Sequence, residues 1–205
     1  MNIQVKKEHY FNGYDNKKRW ISYWYQIHEV LNLNPNNVLE IGKGNGTVSN
    51  YLKSSNINVT TADFDKSLNP DYICDVKELT SIFNSNSFDV VLCSEVLEHI
   101  PFEHFEHCLD QIKRVSNKYV VISLPDARTK CLYFKLPLLQ TKHIFFPHPI
   151  KKEHDFDGEH YWEINKRGFE VEKIERAIKK HFNIINCYNV VELPYHRFYV
   201  LSRVT

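Results

Sequence analysis

The chain has 205 residues, of which 14% are aromatic, and a formal net charge of +1 at pH 7. This length suffices for one α/β domain with a sizeable core and is short for two domains. A charge so close to zero argues against a surface dedicated to nucleic acid, because such surfaces are strongly basic.

Cysteine usage and hydropathy predict a cytoplasmic protein with reduced thiols. The five cysteines are odd in number and form no Cys-x-x-Cys pair, which disfavours a disulfide framework. The N-terminus lacks the basic-then-apolar layout of a signal peptide. No apolar run reaches the length that a bilayer requires, so no membrane partner is expected. The sequence gives no indication of the oligomeric state.

Strand and helix patterns alternate along most of the chain, which predicts one doubly wound α/β domain. Its sheet is expected to be mostly parallel and seven-stranded, with one antiparallel strand near the C-terminus, because a short link joins the last two strands. Residues 1–34 are expected to form a helical cap, and residues 125–166 an irregular insertion over the site. The predicted elements, in chain order, are a helix at 20–31, a strand at 38–41, a helix at 45–54, strands at 57–62 and 72–74, a helical segment at 76–83, a strand at 88–93, a helix from 101, a strand at 119–124, a helix at 167–181, and strands at 183–191 and 197–204.

The first predicted strand runs into a loop with glycine at every second position, Gly42, Gly44 and Gly46. Glycine lets the backbone turn tightly and approach a ligand, and nucleotide-like ligands bind at such strand–loop–helix junctions. The spacing departs from the nicotinamide fingerprint, since Thr47 stands where the third glycine would be, and the Gly-Lys-Ser/Thr of a P-loop is absent. Glu40 precedes the loop and would suit a ligand that carries an ammonium group.

Further acids follow the next two predicted strands. Asp63 ends the second strand, where an acid accepts hydrogen bonds from ribose hydroxyls; Asp65 takes that position instead if the strand runs longer. Asp75 ends the third strand and is well placed for an adenine amino group. It is also a favourable N-cap for the helical segment that follows, so both interpretations of Asp75 stay open.

Together these residues resemble the class I S-adenosylmethionine-dependent methyltransferases. The segment after the fourth strand is similar to the small-molecule branch of that family, which includes the quinone-biosynthesis methyltransferases. The resemblance implies the Rossmann-like methyltransferase fold and S-adenosyl-L-methionine as cofactor. It is carried by Val38-Leu39-Glu40-Ile41-Gly42-Lys43-Gly44-Asn45-Gly46, Asp63, Asp75 and Ser94-Glu95-Val96-Leu97-Glu98-His99.

The resemblance also implies individual roles. Gly42 and Gly44 would lie against the methionine part of the cofactor, with Glu40 near its amino group. Asp63 would hold the ribose, Asp75 with Val76 would flank the adenine, and Ser94 would offer its backbone near the methionine end. The complete predicted cofactor set is Glu40, Gly42, Gly44, Asn45, Gly46, Asp63, Phe64, Asp75, Val76, Ser94 and Glu95.

The predicted reaction is methyl transfer to a small molecule, with oxygen favoured over nitrogen or carbon as the acceptor atom. Alignment of the reacting groups is the main task in such a displacement, and a hydroxyl acceptor also needs a base. The Asn/Asp-Pro-Pro-Tyr of amino-methyltransferases is absent, since the corresponding residues are Cys93-Ser94-Glu95-Val96. A protein or RNA methyltransferase, and an inactive cofactor-binding partner subunit, are the alternatives.

Acceptor recognition is assigned to residues 125–166, because a long loop in a compact domain is usually functional. The base candidates are His154 and His160, with Asp126 behind them; ordinary polar loop residues are the alternative. Tyr14, Arg19, Trp20 and Trp24 would either close over the cofactor or belong to an amphipathic helix that packs on the core. No metal is predicted, because the spacing of His143, His148, His154, His160, Glu153, Asp155 and Asp157 matches no zinc motif.

Overall fold

The computed structural model describes residues 7–12, 14–127, 129–134, 142–147 and 153–204. These residues contain four α-helices and nine strands. The helices are α1 (Lys17–Asn32), α2 (Thr47–Ser54), α3 (Phe105–Val115) and α4 (Val171–Lys179). The strands are β1 (Asn37–Ile41), β2 (Asn58–Asp63), β3 (Tyr72–Ile73), β4 (Phe88–Ser94), β5 (Ser116–Pro125), β6 (Thr129–Phe134), β7 (Lys142–Pro147), β8 (Phe182–Asn189) and β9 (His196–Arg203).

Seven strands form the main sheet in the order β3-β2-β1-β4-β5-β9-β8. β9 runs antiparallel to both of its neighbours, and the other neighbouring strands are parallel. The predicted sheet is therefore confirmed. Its strand order reverses between β1 and β4, and in open α/β sheets ligands bind in the crevice at the carboxyl ends of the strands beside such a reversal.

The strands at the centre of the sheet are buried because their sequences are almost continuously apolar. Four consecutive β4 residues, Val90 to Cys93, are at most 1% exposed. One core cluster joins the sheet to α3 and α4, and a second joins the other face to α1 and α2. Asn16 caps the N-terminus of α1. Its side-chain oxygen accepts hydrogen bonds from the backbone N–H groups of Lys18 and Arg19 at 3.0 and 3.3 Å, and so satisfies donors that the first turn leaves free.

The prediction of an irregular stretch over 125–166 is partly wrong. Within it, β6 and β7 pair antiparallel. Its last residues belong to the core: Trp162 and Ile164 are fully buried, and the Trp162 indole donates to the Ile100 carbonyl at 3.0 Å. His148 and the side chain of His143 lie outside the described residues.

Helix boundaries also differ from the predictions. The helix predicted from 101 begins with a 3₁₀ turn at Phe102–His104 before α3, and the segment predicted at 76–83 is a 3₁₀ segment, Val76–Ser81. The helix predicted over 167–181 begins only at Val171, because Gly168 has a φ of +83° and interrupts the helical backbone. None of the described helices combines the length and the apolar character needed to cross a membrane.

Candidate active site

A cavity opens at the carboxyl ends of β1, β2 and β4, where the strand order reverses. The N-terminal segment and residues 159–160 complete its walls. Lining residues discussed below are Tyr10, Tyr14, Arg19, Tyr23, Glu40, Gly42, Lys43, Gly44, Asn45, Asp63, Phe64, Asp65, Leu68, Val76, Ser94, Glu95, Val96, His99, Glu159 and His160. The cavity thus brings together most of the predicted cofactor set, including Asn45 and Phe64, with one of the two predicted base candidates.

The glycine loop is shaped by a close contact at Gly42. This residue has a φ of +81°, and a Cβ placed on it would lie 2.4 Å from Val96 Cγ2, far inside contact distance. At Gly44 the nearest neighbour of such a Cβ would be Tyr10 Cε1 at 3.6 Å. Gly46 is not among the described lining residues. It stands immediately before α2, and its carbonyl accepts from the Asn50 backbone N–H at 2.9 Å; its predicted contact with a ligand stays a prediction.

Glu40 is a buried acid at the wall of the cavity. It is 4% exposed, and its Oε2 has no hydrogen-bond partner among the described residues. Burial raises the pKa of Glu40 to about 8 against the opposing effects of Ser49 and Lys43. A buried polar atom without a partner is costly. A bound cationic group would satisfy this oxygen and favour the ionised form.

Asp63 and Asp65 both line the cavity and are both buried. Asp63 Oδ1 accepts from the Asp65 backbone N–H at 2.9 Å, and Asp65 Oδ1 accepts from the Ser67 backbone N–H at 2.8 Å. Burial raises the pKa of Asp63, although hydrogen bonds from the backbone of Asp65, Lys43 and Gly44 oppose the rise. Asp63 therefore links the glycine loop to the turn after β2. Which of the two acids would hold a ribose stays a prediction.

Asp75 and Val76 differ in whether they line the cavity. Val76 lines the cavity, but Asp75 is not among the described lining residues. The Asp75 carboxylate accepts from the Lys77 backbone N–H at 2.9 Å and pairs with Lys77 Nζ at 3.4 Å. Its side chain caps the 3₁₀ segment that follows, which is one of the two interpretations that the sequence left open, and its predicted place beside an adenine stays a prediction.

Ser94 and Glu95 lie where β4 ends. Ser94 Oγ is buried and has no hydrogen-bond partner among the described residues. Glu95 has a φ of +53°, and its Oε1 accepts from Ser123 Oγ at 2.8 Å. His196 Nδ1 lies 3.5 Å from the same carboxylate oxygen and 3.1 Å from Ser22 Oγ. The residues after β4 thus connect the cavity to β5, β9 and α1.

His160 is the base candidate that reaches the cavity. Its Nδ1 lies 3.1 Å from Glu163 Oε1, and the Tyr195 hydroxyl donates to the same oxygen. Burial lowers the pKa of His160, but the hydrogen bond to Glu163 and the charges of Glu98, Glu163 and Glu95 outweigh it and raise the pKa to about 9. Glu163 and Tyr195 were not predicted from the sequence. The His-x-x-Glu spacing was the one available signal for Glu163, and nothing local pointed to Tyr195.

Behind His160 lies Glu98, a fully buried acid. Neither of its carboxylate oxygens has a hydrogen-bond partner among the described residues. Burial, with the charge of Glu95, raises its pKa well above the usual value. A carboxylate oxygen of Glu98 and ring nitrogens of His99 and His160 lie within 4.8 Å of one another. Such clusters hold metal ions in some proteins and shared protons in others, so the expectation of no metal stays a prediction.

The structure contradicts the predicted positions of His154 and Asp126. His154 Nε2 contacts the His160 carbonyl oxygen at 2.8 Å, and neither His154 nor Asp126 is among the described lining residues. Asp126 is 1% exposed; it accepts from Asn165 at 2.9 Å and Asn189 at 3.1 Å and pairs with the Arg197 guanidinium at 3.0 Å. The carboxylate that contacts His160 is Glu163, and Asp126 joins β5 to β9, which itself carries Arg197, its cationic partner.

The N-terminal segment closes one wall. Tyr14 and Arg19 line the cavity, with the Arg19 guanidinium 4.0 Å from the centre of the Tyr14 ring, a cation–π contact. Trp20 and Trp24 are more than half exposed and are not among the described lining residues. Of these four residues, Tyr14 and Arg19 border the cavity, and closure over a cofactor stays a prediction. Tyr10 and Tyr23 also line this wall and were missed, because neither belongs to a recognisable motif.

Comparison with known proteins gives relatives of one kind. The family model described as a methyltransferase domain matches residues 17–174. The ubiquinone biosynthesis O-methyltransferase of Rickettsia bellii (strain OSU 85-389) is 26% identical over 159 residues, which cover 69% of this chain and 64% of the relative. The chain therefore spans less than two thirds of the length of that relative.

Solved structures share the fold at low identity. The 1,6-didemethyltoxoflavin-N1-methyltransferase of Burkholderia thailandensis, with bound 1,6-didemethyltoxoflavin and S-adenosylhomocysteine, superposes with a TM-score of 0.62 at 15% identity, over 97% of this chain and 85% of that one. The N-methyltransferase NodS of Bradyrhizobium japonicum, in complex with S-adenosylhomocysteine, gives a TM-score of 0.62 at 10% identity, over 93% and 90%. Since the family model covers most of the chain, this protein belongs to the methyltransferase domain family.

Proposed function

We propose that the chain transfers a methyl group from S-adenosyl-L-methionine to a hydroxyl oxygen of a small molecule. The observation that carries the cofactor assignment is Glu40 beside the glycine loop, whose buried Oε2 has no hydrogen-bond partner among the described residues. The Rickettsia relative is named as an O-methyltransferase, and two structural neighbours hold S-adenosylhomocysteine. All three names support methyl transfer, and the name of the Rickettsia relative supports oxygen as the acceptor atom, whereas the two structural neighbours are named as N-methyltransferases.

The lining residues fit the parts of this cofactor. Glu40 would pair with its ammonium group, and Arg19, whose guanidinium contacts the Tyr14 ring, would pair with its carboxylate. Asp63 would accept from the ribose hydroxyls, as carboxylates at this sheet edge do. Val76 and Leu68, which are 3% and 7% exposed, would cover an aromatic base on its apolar face.

His160 would serve as the base for the acceptor. The cofactor supplies a methyl group on a cationic sulfur, which takes the carbon–sulfur electron pair when the bond breaks. The neutral His160 ring takes the hydroxyl proton as the acceptor oxygen forms its bond to carbon, and later gives that proton to water. Residues 159–160 share the cavity with the strand ends, so a base and an acceptor can lie beside the cofactor.

A small-molecule acceptor is favoured over the alternatives. The net charge of +1 gives little attraction to a phosphate backbone, and five acids, Glu40, Asp63, Asp65, Glu95 and Glu159, line the cavity. An inactive partner subunit would have no need of His160 at the cavity wall. All five cysteines are free thiols, which supports a cytoplasmic location.

Titration calorimetry with S-adenosylmethionine tests the cofactor assignment. We expect measurable binding by the wild type and at least about tenfold weaker binding by Asp63→Ala, a loss of about 1.4 kcal/mol. Asp110→Ala, which removes an acid on the exposed side of α3, is the matched control and should bind as the wild type does. An absence of heat with the wild type would contradict the proposal.

Incubation with methyl-labelled cofactor and a fractionated cell extract tests the acceptor class. The label should appear in a small-molecule fraction and should depend on the protein. Label found only in protein or RNA would overturn the proposed acceptor class and leave the cofactor assignment standing.

A further inference from the structure

The His160 ring is held at its Nδ1 edge by one acid. Glu163 is 7% exposed, and its Oε1 accepts both from His160 Nδ1 and from the Tyr195 hydroxyl. Its second oxygen lies 3.8 Å from Lys166 Nζ. A histidine whose Nδ1–H is donated to a carboxylate keeps the lone pair on Nε2, so the contact selects one tautomer.

The backbone around His160 is fixed independently of this contact. The His160 N–H donates to Asp157 Oδ1 at 2.8 Å, and its carbonyl accepts from His154 at 2.8 Å. The Tyr161 N–H donates to the Glu98 carbonyl at 2.8 Å. With the main chain held, the hydrogen bond to Glu163 is left to fix the rotation and tautomer of the ring.

We propose that Glu163 is a positioning residue for methyl transfer, which holds the His160 ring so that Nε2 is free for the acceptor hydroxyl. The Tyr195 hydroxyl donates to the same Glu163 oxygen and thereby weakens the interaction of that oxygen with the proton on His160 Nδ1. This inference rests on the proposed function, in which His160 takes the acceptor proton. Neither Glu163 nor Tyr195 is among the described lining residues, so both act through His160.

The charges around His160 set the direction of each expected effect. Besides Glu163 and Tyr195, the groups that face it are Asp157, Glu98, His99, Glu95 and His196. The net effect raises the pKa of His160 to about 9. Removing the charge of Glu163 should lower that pKa, whereas removing the Tyr195 hydroxyl should raise it, because the Glu163 oxygen then interacts with the imidazolium alone.

Two variants with opposite expected signs provide the test. Histidine resonances of isotopically labelled protein are titrated in wild type, Glu163→Gln and Tyr195→Phe, without acceptor. We expect the His160 pKa to fall by about one unit or more in Glu163→Gln and to rise in Tyr195→Phe. Glu153→Gln is the matched control, since Glu153 is an exposed acid of the same segment paired with Arg167, and should leave the value unchanged.

Kinetics separate positioning from a purely structural role. In Glu163→Gln, the turnover number at its high-pH plateau should fall about tenfold or more, because the amide can stabilise the wrong tautomer, while the acceptor KM changes less than threefold. The rising limb of the pH profile should move to lower pH. A His160 pKa that does not move in Glu163→Gln, or a pKa that moves while the plateau turnover stays at the wild-type level, overturns the proposal. Failure of cofactor binding would instead overturn the proposed function, and the titration of His160 would still be readable.

Discussion

The two sides of the cavity differ in how far along the chain their contacts reach. On the cofactor side, formed by residues 40–76, the side chains of Asn45, Asp65 and Asp75 accept hydrogen bonds from the backbone N–H two residues onward. Asp63 accepts one such bond and also hydrogen bonds from Lys43 and Gly44. On the acceptor side, formed by residues 94–99 and 159–163, the Glu163–Tyr195 bond spans 32 positions and the His99–Glu159 bond spans 60. Local turns contribute more to the first side, and tertiary packing contributes more to the second.

The two sides also differ in which polar groups they leave unsatisfied. On the cofactor side, the acid Glu40 has a buried oxygen without a partner among the described residues, as expected for a site that a ligand completes. On the acceptor side, Glu163 and Asp157 are engaged by neighbouring side chains and backbone, and Glu98 is the exception. Glu163 and Asp157 are therefore engaged with His160 before any ligand binds.

Replacement of the base should give the largest effect and leave the cofactor side untouched. His160→Ala is expected to lower turnover by about 10²–10⁴-fold, the range for removal of a general base, with the cofactor Kd changed less than threefold. Steady-state kinetics and calorimetry measure both. His104→Ala, on a half-exposed histidine outside the cavity, is the control. Turnover of His160→Ala within threefold of wild type would remove His160 as the base.

Because Asp126 pairs with Arg197 instead of lying behind His160, its replacement should have an effect of similar size on the stability of the fold. Asp126→Ala leaves the buried Arg197 guanidinium without its carboxylate, and should lower the free energy of unfolding by about 3–5 kcal/mol. Turnover per folded molecule should stay within threefold. The exposed Asp110–Arg114 pair, at 2.8 Å, offers the control: Asp110→Ala should cost about 1 kcal/mol or less. Loss of turnover in Asp126→Ala with unchanged stability would return Asp126 to the catalytic group.

Two glycines with nearly equal φ allow the effect of backbone strain to be distinguished from the effect of steric crowding in the glycine loop. Gly42 and Gly168 have φ of +81° and +83°, but a Cβ at Gly168 meets no atom within 4 Å. Gly42→Ala must displace Val96, and should weaken cofactor binding about 100-fold. Gly168→Ala shares the unfavourable φ and should bind within twofold of wild type. Equal losses in both variants would show that strain alone governs the loop.

The smallest expected effect concerns Glu40 and is a change of cofactor affinity with pH in a defined direction. Because its pKa lies near 8, most molecules hold a proton there at pH 7. A bound ammonium group favours the carboxylate, so cofactor binding should release a proton at pH 7 and strengthen as the pH rises from 6 to 7. Glu40→Gln should abolish the release and weaken binding about tenfold. Calorimetry in buffers of different ionisation enthalpy measures the release, and an undiminished release in Glu40→Gln would contradict the assignment.

The parts of the fold that were predicted correctly from the sequence are those with long periodic segments. The seven strands and their arrangement were predicted because apolar runs such as 88–93 and the alternation with helices are strong local signals. The pair β6–β7 was missed in a stretch of mixed composition. The start of α4 was predicted too early, because the helical pattern of Glu172, Arg176 and their neighbours was extended back past Gly168, whose backbone is not helical. Boundaries of this kind depend on one backbone conformation rather than on a pattern.

By itself, the sequence determined the glycine loop, the acid before it and the acids after β2, because each lies within a few residues of a strand end and a parallel sheet brings those ends together. Only the tertiary structure decided which groups serve His160. It brought the Tyr195 hydroxyl to the Glu163 carboxylate beside its ring and placed Asp126 against Arg197. Contacts across 32 and 71 positions leave no spacing to detect, because chain folding rather than local geometry sets the distance between their atoms.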